Sequence, residues 1–413
     1  MNPGSAAPRP SNRSGRKPVC IPCIPAGRLY AWIAVLLLGA VIAGCDSGPA
    51  PSLYDPDRAS APDPAITSIS PEGFALAGVD VVTIDGSNFS AQASDNLVYF
   101  NEVRGEVLEA SATRLQVKAP ATPGADIEVR VAVLGAENYS NGIAYRLEAA
   151  VEPFGDIAGF EEPFSIASDP AGNLYVSMNS DNRSVGVLRM APDGSRSPFV
   201  ESTFIWTGMA YGADDMLYTV RSVRAVFRFV EGGRQEVWGV IPDNSVRLSA
   251  ITFDPENNLW AGGNNAHIYR IAADKSVEAF PFEANVRALR FFEGYLYAAA
   301  TRDNASGIWR WPVSGGRAGE AELYFDVTGE TGAEALALAF AANGDLFVGT
   351  NAAEPVLLVA PNGQADVLYP GLFMPAATAF AWGASPNLYM VQGRTDTTPP
   401  GLLRINTRRE AAE

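Results

Sequence analysis

The sequence predicts an all-β protein: an immunoglobulin-like β-sandwich followed by a six-bladed β-propeller. Three observations predict it. Short alternating apolar runs, separated by turn clusters, fill residues 66–148. A unit of roughly 40 residues then recurs six times between 151 and 408, as blades of a propeller do. The 39 Gly and 30 Pro among 413 residues supply the many turns that such an architecture needs. Hydrophobic residues at 47% against 18% charged ones are enough to bury a core, which excludes wholesale disorder. The formal net charge of −16 opposes binding to a polyphosphate, so no nucleic-acid partner is expected. One His and three Cys exclude His-rich zinc sites, four-cysteine sites and a disulfide framework.

The first element is an address. Arg9, Arg13, Arg16, Lys17 and Arg28 precede an apolar run from Leu29 to Ala43, and no Asp or Glu occurs before position 46. This is the layout of a secretory signal, and the run is shorter than the roughly 20 residues of a spanning helix. It ends Val41-Ile42-Ala43-Gly44-Cys45, which resembles the bacterial lipobox. That resemblance implies cleavage after residue 44 and a lipid on Cys45. The C-x-x-C pair Cys20 and Cys23 falls in the discarded leader and carries no redox or metal role. Loss of 1–44 leaves 25 cations against 46 anions. Residues 45–65 then read as a tether: five Pro, little apolar content and no periodicity.

The sandwich follows at 66–148. Ile66-Thr67-Ser68-Ile69-Ser70-Pro71 opens it, and Val81 to Ile84 runs into the turn Asp85-Gly86. Leu97 to Phe100, Leu115 to Val117 and Ile127 to Val131 continue, for about seven strands in all. The opening segment, Gly78, the Gly86-x-Asn88-Phe89 motif and the closing Asn141 to Tyr145 resemble the IPT/TIG family. The resemblance implies a spacing or binding module with no shared catalytic residue.

The propeller repeat at 151–408 is anchored on Leu174, Leu217, Leu259, Leu296, Leu346 and Leu388, spaced 43, 42, 37, 50 and 42 residues apart. An aromatic residue follows each: Tyr175, Tyr218, Trp260, Tyr297, Phe347 and Tyr389. Aromatics of this kind belong in the wedges between blades. A small residue stands upstream in each unit (Ser165, Gly208, Ala250, Ala288, Ala337, Ala379), where inner strands crowd the axis. A third strand carries apolar-x-Arg-apolar, as in Val187-Leu188-Arg189-Met190, with Leu358 in place of Arg in the fifth unit. The sixth unit runs out after its third strand at 404–407, whereas Val151 to Ile157 reads like an outer strand. The amino-terminal strand is therefore expected to complete the last blade and leave no open seam. Residues 409–413 read as a tail.

This part is similar to the NHL and gluconolactonase/regucalcin propellers, most of all in Pro163-Phe164-Ser165-Ile166-Ala167-Ser168-Asp169-Pro170 and the strand after it. The lactonase resemblance implies a divalent metal in the channel, held by a Glu of the first blade and by Asn or Asp of other inner strands. Glu162 stands near that Glu. The position where that family often places Asn reads Phe164, Thr207, Ser249, Arg287, Leu336 and Thr378, with no carboxylate or amide among them. Two residues earlier stand Glu162, Ile205, Arg247, Asn285, Glu334 and Ala376. Glu162, Arg247, Arg287 and Glu334 are thus candidate channel-mouth binding residues, and neither a catalytic residue nor a cofactor is expected. His267 has no His partner in the sequence and is expected to be structural. The turns Asn179 to Arg183 and Thr301 to Ser306 read as exposed polar loops that could contact a partner. The expectation is a lipid-anchored protein of the cell or outer membrane that binds a protein or glycan. A lactonase-like hydrolase with a divergent metal site is the alternative.

Overall fold

The computed structural model describes residues 59–230, 233–384 and 386–412. The leader, Cys45 and the tether up to residue 58 lie outside the described residues. Among the described residues no helix is long and apolar enough to cross a membrane.

Nine strands form the sandwich rather than about seven. One sheet orders Ala65–Ser70, Val81–Ser87, Arg114–Lys118 and Glu106–Ala110. The other orders Phe74–Ala77, Ile143–Ala149, Gly124–Val133, Asn96–Phe100 and Val103–Arg104. The extra strands are the short edges Phe74–Ala77 and Val103–Arg104, too brief to show a period of two. The longer strands show it clearly. Ile127, Val129, Val131 and Val133 are buried while Glu128 and Arg130 between them are exposed. They meet Val82, Ile84, Leu115 and Val117 of the facing sheet. Each such side chain contributes about 1.5–3 kcal/mol by leaving water. The chain engages this domain before residue 66. Ala61 N donates to Gly135 O at 2.7 Å, and Asn138 donates from its backbone N and Nδ2 to the Asp63 carboxylate.

Blade one of the propeller holds Glu161–Ser168, Leu174–Ser180, Arg183–Met190 and Arg196–Val200, from the axis outward. Blade two repeats this with Gly208–Tyr211, Leu217–Val220, Ala225–Val230 and Arg234–Val240. Blades three and four share one sheet, because the strand Val277–Phe292 is the outer strand of one and the inner strand of the next. It pairs with Leu259–Ile271 through 277–285 and with Tyr295–Arg302 through 285–292. Blade five runs from Ala335–Phe340 to Ala365–Val367. Blade six comprises Ala377–Trp382, Asn387–Gln392, Gly401–Asn406 and, outermost, Val151–Pro153. The register there is Val151 with Ile405, Glu152 with Arg404 and Pro153 with Leu403. The first strand of the repeat region closes the ring, and the six inner strands pack side by side around the axis.

Side chains explain the repeat. A Cβ on Gly208 would lie 2.4 Å from Ser249 O of the next blade, so only glycine fits there. Tyr175 stacks on Tyr211 at 5.6 Å, Tyr218 meets Phe253 at 5.0 Å, and Phe347 meets Trp382 at 5.7 Å, each across a blade boundary. In blades two, three and four the third-strand Arg pairs with an acid of the outermost strand: Arg228 with Glu236, Arg270 with Glu278 and Arg310 with Glu322. In blade one Arg189 faces Ser197 instead. In blade six the same role falls to Arg404 and Glu152, which are 252 residues apart in sequence.

The tail is not free. Arg409 Nε donates to Asp345 at 2.5 Å, Ala342 N donates to Glu410 O at 3.0 Å, and Ala411 bridges to Ala341 in blade five. The sandwich is tied to the propeller through the ion pair of Asp80 with Arg408.

Candidate functional site

The four sequence-selected residues do not form one cluster. Arg287 Nη2 lies 3.9 Å from Glu334 Oε2, and both side chains are about half exposed. Glu162 Oε2 is instead 3.5 Å from Arg394 Nε, a residue the sequence reading missed. Arg394 follows the second strand of blade six, in a segment without repeat signal. Arg247 turns back on its own chain, donating from Nη1 to Asn244 O and Val246 O. Among the described residues it meets no carboxylate.

The strands explain these positions. In blades one, three, four, five and six the ladder slips where the inner strand approaches its small residue, for example between Pro163 and Ser165 and between Val286 and Ala288. A bulge leaves one residue unpaired and re-aims its side chain. Arg287 occupies such a position. The hydroxyls in the same row are used between or within blades. Ser249 Oγ donates to Val286 O of the following blade at 2.7 Å, and Thr207 and Thr378 donate to Val220 O and Val391 O within their own blades. In the next row Ser165 Oγ donates to Trp206 O at 2.6 Å.

This arrangement does not fit a lactonase-type metal. Among the described residues no three His, Cys, Asp or Glu side chains gather closely enough to hold an ion. The one acid near the expected ligand position faces a guanidinium.

Asn179 to Arg183 and Thr301 to Ser306 are not loops. The strands run to Ser180 and Arg302, leaving two-residue turns at Asp181-Asn182 and Asp303-Asn304. All four turn residues have φ between 49° and 65°, the left-handed region that Asn and Asp tolerate in tight hairpins. Asn179 itself is buried. His267 is half-buried within Leu259–Ile271, its ring 6.0 Å from that of Tyr269.

Below the mouth the channel narrows to a cavity of about 40 Å³ bounded by the small residues and Arg287. It widens again to about 300 Å³ at the carboxy-terminal ends of the inner strands, where Ser168, Tyr211, Phe291 and Trp382 line it. Arg290 lies between the two. Its Nη1 donates to Leu289 O at 2.8 Å, and its Nη2 reaches from blade four to Phe380 O of blade six at 2.6 Å. Among the described residues no carboxylate pairs with it. Burial pushes its guanidinium down to about 10, which leaves it charged at neutral pH. A second cavity, of about 920 Å³, lies between sandwich and propeller. Of the charges in its lining, Arg146 pairs with Glu148, Arg404 with Glu152 and Arg408 with the nearby Asp80, while Glu410 has no ion pair among the described residues.

The IPT/TIG domain family matches residues 64–146. Comparison with curated proteins returns no match. Solved structures share the fold at low identity. A protein of unknown function from Bacteroides thetaiotaomicron is 14% identical with a TM-score of 0.51, covering 86% of this chain and 99% of its own. An auxiliary nutrient binding protein from the same organism is 11% identical with a TM-score of 0.51, over the same shares. A presumptive gluconolactonase is 19% identical with a TM-score of 0.51, covering 64% of this chain and 93% of its own. Residues 64–146 are therefore an IPT/TIG domain, and the rest of the described chain folds as a propeller of the kind those structures share.

Proposed function

We propose that this chain is a lipid-anchored protein of the bacterial cell envelope, attached through Cys45, whose propeller binds a protein or glycan partner without catalysis. One observation carries the reading: the acids at the channel mouth are already opposed by arginines, Glu162 by Arg394 and Glu334 by Arg287. A mouth neutralised in this way suits polar contacts with a partner better than a hard cation, which needs several uncompensated oxygen ligands. The fold occurs both in a protein described as nutrient binding and in a presumptive lactonase, so fold alone does not choose between the readings.

Melting with calcium, zinc or manganese tests the choice. A ligand at a hundredfold excess over its dissociation constant stabilises by about 2.7 kcal/mol, so an occupied site would raise Tm by several degrees. The expected shift is below one degree, taken as about the resolution of the scan. A rise of several degrees that Glu162→Gln abolishes, together with metal-dependent opening of aldonolactones, would establish the lactonase instead. Affinity capture on the full chain, with Arg287→Ala and Glu162→Gln as controls, tests partner binding directly.

A further inference from the structure

We infer that the cavity at the carboxy-terminal ends of the inner strands is a binding site for a small organic monocarboxylate, with Arg290 as its anion receptor. This goes beyond the partner-binding mouth and does not rest on it. The two lie at opposite ends of strands about 20 Å long.

The aligned inner strands make Arg290 an exception. The equivalent positions in the other five blades are Ala167, Ala210, Thr252, Ala339 and Ala381. Five small residues leave room on the axis, and the sixth position fills it with a cation. The carbonyls of Leu289 and Phe380 hold the guanidinium in place but do not neutralise its charge. A guanidinium has five N–H donors, of which these contacts use two. Arg290 is half-buried, and among the described residues no carboxylate compensates its charge. A ligand carboxylate would accept two parallel hydrogen bonds from it.

The cavity selects among anions. Among the described residues Arg290 is the one cationic side chain in its lining, which Ala412 near the chain's end completes, and no helix end contributes to it. A single positive charge matches a monoanion better than a phosphate dianion. The exposed wall is more polar than apolar, with an apolar part from Ile251, Phe291, Ala339 and Ala381 that would take a short hydrocarbon or aromatic tail. The hydroxyls of Ser168 and Thr252, which make no other hydrogen bond among the described residues, can orient the second carboxylate oxygen. About 300 Å³ is at the small end of ligand pockets, which limits the ligand to a few carbons or one ring.

Trp382 lines the cavity and serves as a reporter. The purified full chain in detergent is titrated with acetate, butyrate and benzoate at constant ionic strength, alongside butyramide, benzamide and inorganic phosphate. At least one carboxylate is expected to saturate a fluorescence change and raise Tm, while its neutral amide does neither. Arg290→Gln should weaken binding at least about tenfold and Thr252→Val severalfold, whereas Glu162→Gln leaves it unchanged. If Arg290→Gln fails to fold, the acid–amide comparison on the unaltered protein still decides. Equal binding of acid and amide, equal or tighter binding of phosphate, or no saturation by any carboxylate would overturn the assignment.

Discussion

Glu161 and Glu162 are adjacent, yet their surroundings differ. Glu161 is buried and receives both Nη atoms of Arg196, at 2.6 and 2.8 Å, as well as Ala158 N at 3.0 Å. The Arg196 hydrogen bonds hold its carboxyl below the usual range, outweighing the effect of burial. Glu162 has one longer contact to a half-exposed arginine. Glu161→Gln should therefore cost about 1.5–3 kcal/mol at neutral pH, or several degrees of Tm. Glu162→Gln should cost within about 0.5 kcal/mol. The folded-state pKa of Glu161 is depressed, so its contribution is complete above the unfolded carboxylate range and is lost as pH falls through the folded value. The Tm difference between wild type and Glu161→Gln should hold from neutral pH down to about 5 and shrink below about 4. Calorimetry across that range checks it, and a gap independent of pH would contradict the ion-pair account.

At the scale of elements, Val151–Pro153 does the work of a blade's fourth strand. It supplies backbone pairing to Gly401–Asn406, the Glu152 partner of Arg404, and Phe154, whose ring lies 4.6 Å from that of Tyr389. Removing it exposes one strand edge and opens the ring between the chain ends. A chain beginning at Phe160 should melt well below one that lacks only 46–147, and it should aggregate through the bared edge. Equal melting temperatures for the two truncations would refute closure by this strand. The acid row that answers the third-strand arginines was also present in the sequence, as Glu236, Glu278 and Glu322. The row is not evenly spaced: Glu236 and Glu278 each stand 8 residues after their arginines, whereas the extra pairing of Val313 and Ser314 with Ala318 and Arg317 puts Glu322 12 residues after Arg310.

For the whole molecule, the proposed lipid anchor would act with the tie between domains to set how the propeller is presented. A lipid adds about 0.8 kcal/mol per buried CH₂, and stable attachment takes more than one chain. Cys45→Ala is expected to release the protein from membranes or block its processing, as fractionation would show. A variant still processed and membrane-bound would exclude the lipid anchor. The Asp80–Arg408 pair joins the sandwich to the segment that follows the last blade. The IPT/TIG domain thus contacts the propeller next to its closure.

The blade count, the aromatic wedges and the small residues at the axis were legible in the residues alone, because each blade must solve the same packing problem and so repeats its solution. The hairpin turns after the second strands could have been read too, since Asp181-Asn182 and Asp303-Asn304 carry the tight-turn signal. The site was another matter. Arg290 stands one residue beyond the apolar position of the repeat, so its oddity was visible, but not that it crosses the axis to Phe380. Which guanidinium meets Glu162, and that Arg287 rather than Arg247 meets Glu334, depended on where bulges and blade ends bring distant segments together. Repetition along the chain records local packing. The channel is built from six separate stretches, and only closing the ring decides which of their side chains meet.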